Sequence, residues 1–261
     1  MLLAAAGPAL IVVAALVPSL RPVAAVVLAA GWVALWRGGH HEAIAWAAVL
    51  PVALGLALPW ILGPDVPLGD PACTSPVSII VLRRVVLAAV VLGAVGALAV
   101  AHGSGITELG LGRPSGPEAV IAVVGCLVLV VGGLVIGPAI AAPFFGQLDF
   151  PVPPAALLPA IVFGLANGIT EEVAYRGAMQ GWLGRLAPVW VAVGFQGLVF
   201  GMVHAGPEVL ALLPVHIALL AAAGIAAGVV RWRTGTLWIP AGIHVGADIA
   251  LYVGLACRST A

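Results

Sequence analysis

Apolar runs long enough, or nearly long enough, to cross a bilayer follow one another along the chain with short polar punctuation between them. Leu2–Leu20 stops at Arg21-Pro22, and Val23–Trp36 stops at the run from Arg37 to Glu42. Ala43–Leu62 precedes a proline-bearing loop from Gly63 to Pro76, and Arg83-Arg84 introduces Val85–Ala101. Ala119–Ala142, Pro154–Leu183, Pro188–His204, Val209–Val230 and Trp238–Ala256 complete the series. About 20 apolar residues are needed to span about 30 Å of hydrocarbon as a helix. In lipid, only helices and closed barrels satisfy every backbone group, and these runs lack the alternation of barrel strands. The sequence therefore predicts an all-α fold, a polytopic membrane helix bundle of eight or nine transmembrane segments. The number turns on whether the short run Val23–Trp36 crosses.

Composition agrees and narrows the partners. With 63% hydrophobic and 8% charged residues and a mean hydropathy of +1.22, a soluble domain is excluded. The net charge is zero and the arginines are dispersed, so no nucleic-acid partner is expected. The amino terminus is apolar from Leu2 without a preceding positive region, which reads as a first transmembrane segment and not a cleaved signal peptide. Cys73, Cys126 and Cys257 show no CxxC spacing, so no zinc site, disulfide or other cofactor is expected from them, and Cys126 and Cys257, within and at the end of apolar runs, are expected to be inert. All basic residues are arginine, the bias of a GC-rich bacterial genome. The expected location is a multi-pass position in the bacterial cell membrane.

The Gly- and Pro-rich segment His102–Glu118 is the longest connection of soluble character. It divides residues 1–118, transmembrane segments without a motif, from a C-terminal bundle at 119–261. Placing the Arg231/Arg233 loop in the cytoplasm also puts Arg37, Arg113 and Arg185 there by alternation, a modest fit to the positive-inside rule.

Polar residues inside the apolar runs are few, and they carry the functional signal. They are Glu171, Glu172, Arg176, Gln196, His204, His216, His244 and Asp248, with Asn167, Thr170 and Tyr175 nearby. An ionised side chain at the bilayer centre costs roughly 2.5 to 3.5 kcal/mol on insertion scales, so each needs a reason. Glu172 and Arg176 stand four apart, the favourable order for a helical ion pair. Glu171 points about 100° away around an α-helix and has no oppositely charged residue three or four positions from it. A carboxylate so placed suits proton transfer. His244 and Asp248 share one face of the last helix, and His204 closes Phe200-Gly201-Met202-Val203-His204. His216 lacks such company and reads as a packed core residue.

The sequence contains no HExxH, and no serine stands between Ser115 and Ser259; only one intramembrane aspartate, Asp248, is present. Zinc-type, serine and paired-aspartate proteolysis in their usual forms lack their residues. What remains is a glutamate that activates water, with histidines polarising the carbonyl. Glu171-Glu172-x-x-x-Arg176, then Phe200-x-x-x-His204, then His244-x-x-x-Asp248, in this order, resembles the EExxxR, FxxxH and HxxxN-or-HxxxD motifs of the CPBP family. These are the CAAX prenyl protease and bacteriocin-processing proteins, also called the Abi family. Arg233-Thr234-Gly235-Thr236-Leu237-Trp238 also looks like the family's lead-in to its third motif. The resemblance covers about residues 154–256.

It implies an intramembrane glutamic endopeptidase, needing no metal, that acts on a membrane-associated protein or peptide. Glu171 would be the general base, assisted by His204. Glu172, paired with Arg176, would be structural support, and His244 with Asp248 would form the oxyanion side. Aspartate at 248, where many members carry asparagine, departs from the pattern: ionised it donates to no oxyanion, so either it is protonated or it orients His244 as acids orient histidines in triads. Two other readings use the same residues. Glu171, His204 and His244 could ligate zinc, or the polar cluster could be the relay of a transporter or scaffold.

Overall fold

The computed structural model describes residues 2–62, 78–136, 154–204 and 213–256, with residues 74 and 139. The expected loop 143–153, most of the loop 63–76, and Cys73 and Cys257 lie outside the described residues. Among the described residues there are helices and no strand. In chain order they are α1 (Leu2–Leu16), α2 (Arg21–Arg37), α3 (Ala43–Leu62), α4 (Ile79–Ala101), α5 (Gly116–Val135), α6 (Leu157–Glu172), a π-helix (Val173–Met179), α7 (Gln180–Leu183), α8 (Val189–Val203), α9 (Leu213–Thr234) and α10 (Trp238–Ala256).

Six helical stretches are long and apolar enough to cross a membrane, among them Pro18–Arg37 and Pro154–Leu183. Leu2–Leu16, Val189–Val203 and Trp238–Val253 are shorter apolar helices. The polytopic all-α expectation holds. The stretch Val23–Trp36 is part of a 20-residue helix that meets the length for crossing. Arg83 and Arg84 lie within α4 and do not merely precede it, because Ile79–Leu82 extends the helix by a turn on their N-terminal side. Helix α5 opens on a capping box: the Ser115 hydroxyl accepts from the Glu118 backbone, and the Glu118 carboxylate accepts from the Ser115 N–H. Ser115→Ala is expected to destabilise the protein by about 1 kcal/mol, read as a lowered Tm in detergent micelles.

The described chain forms two compact units. The first contains residues 1–63, 90–112 and 173–237; the second contains 64–89, 113–172 and 238–261. In the first unit, α8 and α9 cross where Gly197, Gly201, Gly224 and Gly228 sit four apart on each helix. A methyl on Gly197 would lie 2.8 Å from the Ile225 nitrogen, and one on Gly224 would lie 2.9 Å from the Gly197 Cα. Small residues at this spacing let helix backbones meet in lipid, where no hydrophobic force draws them together. Buried Gln196 adds a polar bond, its amide donating to the Gly224 carbonyl at 2.8 Å.

The segment after α4 is tied down in this unit. The Glu108 carboxylate pairs with Arg185, the Glu108 carbonyl accepts from Arg231 Nη2 at 2.7 Å, and Leu237 N–H donates to the Gly110 carbonyl. Arg185 and Arg231 thus lie at one end of the unit. A cavity of about 570 Å³ at this end is lined by Trp36, His40, His41, His102 and Arg185 among others. Burial, and then the Arg185 charge, holds the His102 imidazole below its usual range; its Nε2 accepts from Trp32 Nε1–H at 3.0 Å. None of the candidate catalytic residues lines this cavity.

In the second unit, α10 packs against both α5 and α6. Its α5 side carries Gly242 and Gly246; a methyl on Gly242 would lie 2.5 Å from the Ala122 carbonyl oxygen. On the α6 side the glycines belong to the partner helix, Gly164 and Gly168, where methyl groups would each come 2.9 Å from backbone atoms of Val245. Val81, Ala160, Val245, Ile249, Tyr252 and Val253 fill the core around this junction. The close seam is what brings the polar residues of α6 and α10 within reach of each other.

Candidate functional site

Glu171 and Glu172 end α6, three and four residues beyond Gly168, and His244 of α10 adjoins Val245, which Gly168 touches. The glycine seam therefore sets the distance between the glutamates and the imidazole. His244 Nδ1 donates to Glu172 Oε1 at 2.8 Å. The other ring nitrogen, Nε2, lies 3.7 Å from Glu171 Oε2 and 3.7 Å from Asp248 Oδ2. Three acids from two helices thus surround one imidazole.

The two glutamates differ in what reaches them. The Glu172 side chain is 2% exposed and that of Glu171 is 18% exposed. Glu172 is thus the more buried of the two and is bonded to the His244 ring, while Glu171 keeps more of its side chain open. The same oxygen of Asp248 is held by Asn167, whose Nδ2 donates to Asp248 Oδ2 at 3.0 Å. Asn167 Oδ1 in turn accepts from Arg84 Nη1 at 2.9 Å.

The remaining motif residues, Arg176, Phe200 and His204, belong to the first unit. Phe200 is the hub there. The Arg176 guanidinium lies 4.4 Å from its ring centroid, Tyr175 meets it edge-on at 5.2 Å, and the His204 ring lies 4.6 Å away. His204 Nδ1 donates to the Phe200 carbonyl at 2.7 Å. This explains why the motif spaces Phe200 and His204 by four residues: the histidine caps the last turn of α8.

Two features go beyond the sequence. Residues 173–179, which directly follow Glu172 and include Arg176, are π-helical. A π segment inside an α-helix is a common device at functional sites because it re-aims the side chains beyond it. Glu172 gains a role the sequence did not show, the bond to His244. Sequence reasoning also passed over Arg84 and underused Asn167. An arginine within an apolar run was the available signal, obscured by reading Arg84 as flanking its helix.

Comparison with known proteins bears on the same region. Residues 153–250 match the family model described as Type II CAAX prenyl endopeptidase Rce1-like, the stretch whose motifs resemble the CPBP family. The match covers less than half of the chain. No curated protein and no solved structure matches it.

Proposed function

From the likeness of residues 153–250 to type II CAAX prenyl endopeptidases, we propose that this chain is an intramembrane glutamate-type endopeptidase. It hydrolyses a peptide bond in a membrane-associated protein or peptide. The observation that carries the reading is the division of labour between adjacent glutamates around His244: Glu172 buried on Nδ1, Glu171 more open beside Nε2.

In this mechanism Glu171 takes a proton from water as the oxygen attacks the scissile carbonyl. His204 assists, a role that rests on the family motif. The carbonyl oxygen becomes an oxyanion that His244 stabilises by donating from Nε2. That donation requires both ring nitrogens to carry protons, with Glu172 accepting from Nδ1 and supplying the balancing charge. On collapse of the tetrahedral intermediate, Glu171 returns the proton to the departing amine. The C–N bond breaks, leaving one carboxylate and one amine terminus. Asp248 orients His244. In this reading Asp248 acts as a carboxylate 3.7 Å from Nε2, and an ionised acid has no proton to donate to an oxyanion.

The test is free of any assumption about substrate. Bacterial membranes containing the protein are treated to label new protein amino termini, and compared with membranes lacking it. Termini that appear only with the protein are expected; an identical set in both samples overturns the reading. A second expectation concerns metal. His244 Nδ1 is engaged by Glu172, and no group of three or more His, Cys, Asp or Glu among the described residues is arranged to hold an ion. Cleavage of the peptides so identified is expected to persist in a strong zinc chelator, and its loss with recovery on adding zinc would favour the metalloprotease alternative.

A further inference from the structure

Arg84, outside the matched residues, reaches an acid of the second unit through Asn167. Arg84 stands in the second turn of α4, part-buried, with its guanidinium 5.4 Å from the centroid of the Phe163 ring. Its Nη1 donates to Asn167 Oδ1 at 2.9 Å, and Asn167 Nδ2 donates to Asp248 Oδ2 at 3.0 Å. A guanidinium has donors only, so it fixes the amide oxygen towards itself and turns the amide NH₂ onto the acid. Asn167 and Asp248 are 7% and 5% exposed. A carboxylate so buried is costly unless it is hydrogen-bonded and balanced by charge. Neither Arg84 nor Asn167 belongs to the three motifs.

We infer that Arg84, acting through Asn167, is a positioning residue that holds the Asp248 carboxylate against the Nε2 edge of His244. The row runs cation, amide, acid, imidazole, acid, with each junction given by a distance in the structure. It accounts for the departure at position 248. An asparagine there would be neutral and would need no balancing charge, whereas an aspartate needs one, and Arg84 supplies it by way of Asn167. The inference uses the endopeptidase reading for its kinetic arm; its structural arm stands without it.

The test is a double-mutant cycle of Arg84→Met and Asp248→Asn in the full-length protein in micelles, with two readouts. The first is the ¹⁵N signals of the His244 ring, assigned with His244→Gln in a chain of only six histidines. The second is kcat and KM on a peptide found by the terminus-labelling experiment. With Asp248 in place, Arg84→Met is expected to move the His244 ring signals and to lower kcat about tenfold with KM nearly constant; in the Asp248→Asn background the same change costs about twofold or less. Arg84→Lys, which keeps the charge, is expected to recover part of the loss.

An equal effect of Arg84→Met in both backgrounds makes Arg84 a structural residue and overturns the inference. So does an unmoved His244 ring when Asp248 is present. If Arg84→Met does not fold, Arg84→Gln, which keeps a donor and drops the charge, enters the same cycle with the same two outcomes. Failure of the wild type to cleave any peptide overturns the proteolytic reading alone, and the ring signals still decide the inference.

Discussion

Glu171→Gln is expected to lower kcat by about a hundred- to ten-thousand-fold, the range that loss of a general base produces, without lowering the Tm. Glutamine has the size of glutamate and keeps its polar contacts, but it accepts no proton from water. The neighbouring substitution gives the contrast that makes this result informative. Glu172 is 2% exposed and accepts a 2.8 Å bond from His244. Glu172→Gln weakens a charge-assisted bond in a dry site, which costs about 1.5 to 3 kcal/mol. The Tm should fall along with activity. Loss of activity without loss of stability at 171, and loss of both at 172, is the pattern that separates base from orienter. The reverse pattern would exchange their roles.

Gly168→Leu is expected to reduce kcat/KM by more than about a hundredfold, although residue 168 takes no part in chemistry. A first side-chain carbon there meets the Val245 nitrogen at 2.9 Å and its Cα at 3.1 Å. Backbone atoms cannot rotate aside, so α6 must move off α10. Glu171 and Glu172 travel with one helix and His244 with the other. A misplacement of the order of 1 Å between reacting groups costs about a hundredfold. Gly132→Leu in α5 is the matched control, since nothing lies within 4 Å of a carbon added there. Measured side by side in micelles, the control should retain most of its activity. Comparable losses in both variants would show that the seam has no special bearing on the site.

How much of this was legible before the structure depends on which residues are asked. Lipid permits few backbone solutions, so the apolar runs sufficed for the helices, and the cost of intramembrane charge singled out Glu171, Glu172, His244 and Asp248. The order of the motifs did the rest. Three features stayed hidden, each for a physical reason. The π segment at Val173–Met179 has no residue signature in the apolar background. The glycines at 164, 168, 242 and 246 read as ordinary members of apolar runs, because a close helix crossing is a property of two segments and each sequence window shows one. Arg84 looked like a flanking charge because helix ends are blurred by a turn, and the turn Ile79–Leu82 was what placed it inside α4. The bond between His244 and Glu172 was unreadable for the same reason as the glycine seam: it joins residues 72 apart on different helices.

The central claim, that Glu171 is the base of a peptide hydrolase, is tested most directly by trapping substrate on the Glu171→Gln protein. The variant is purified from bacterial membranes under mild detergent, and the proteins that accompany it are identified and then offered to the wild-type enzyme. An intact membrane protein should co-purify with the variant, survive incubation with it, and be cut at one bond by the wild type. Cleavage of that protein by Glu171→Gln at the wild-type rate would contradict the account.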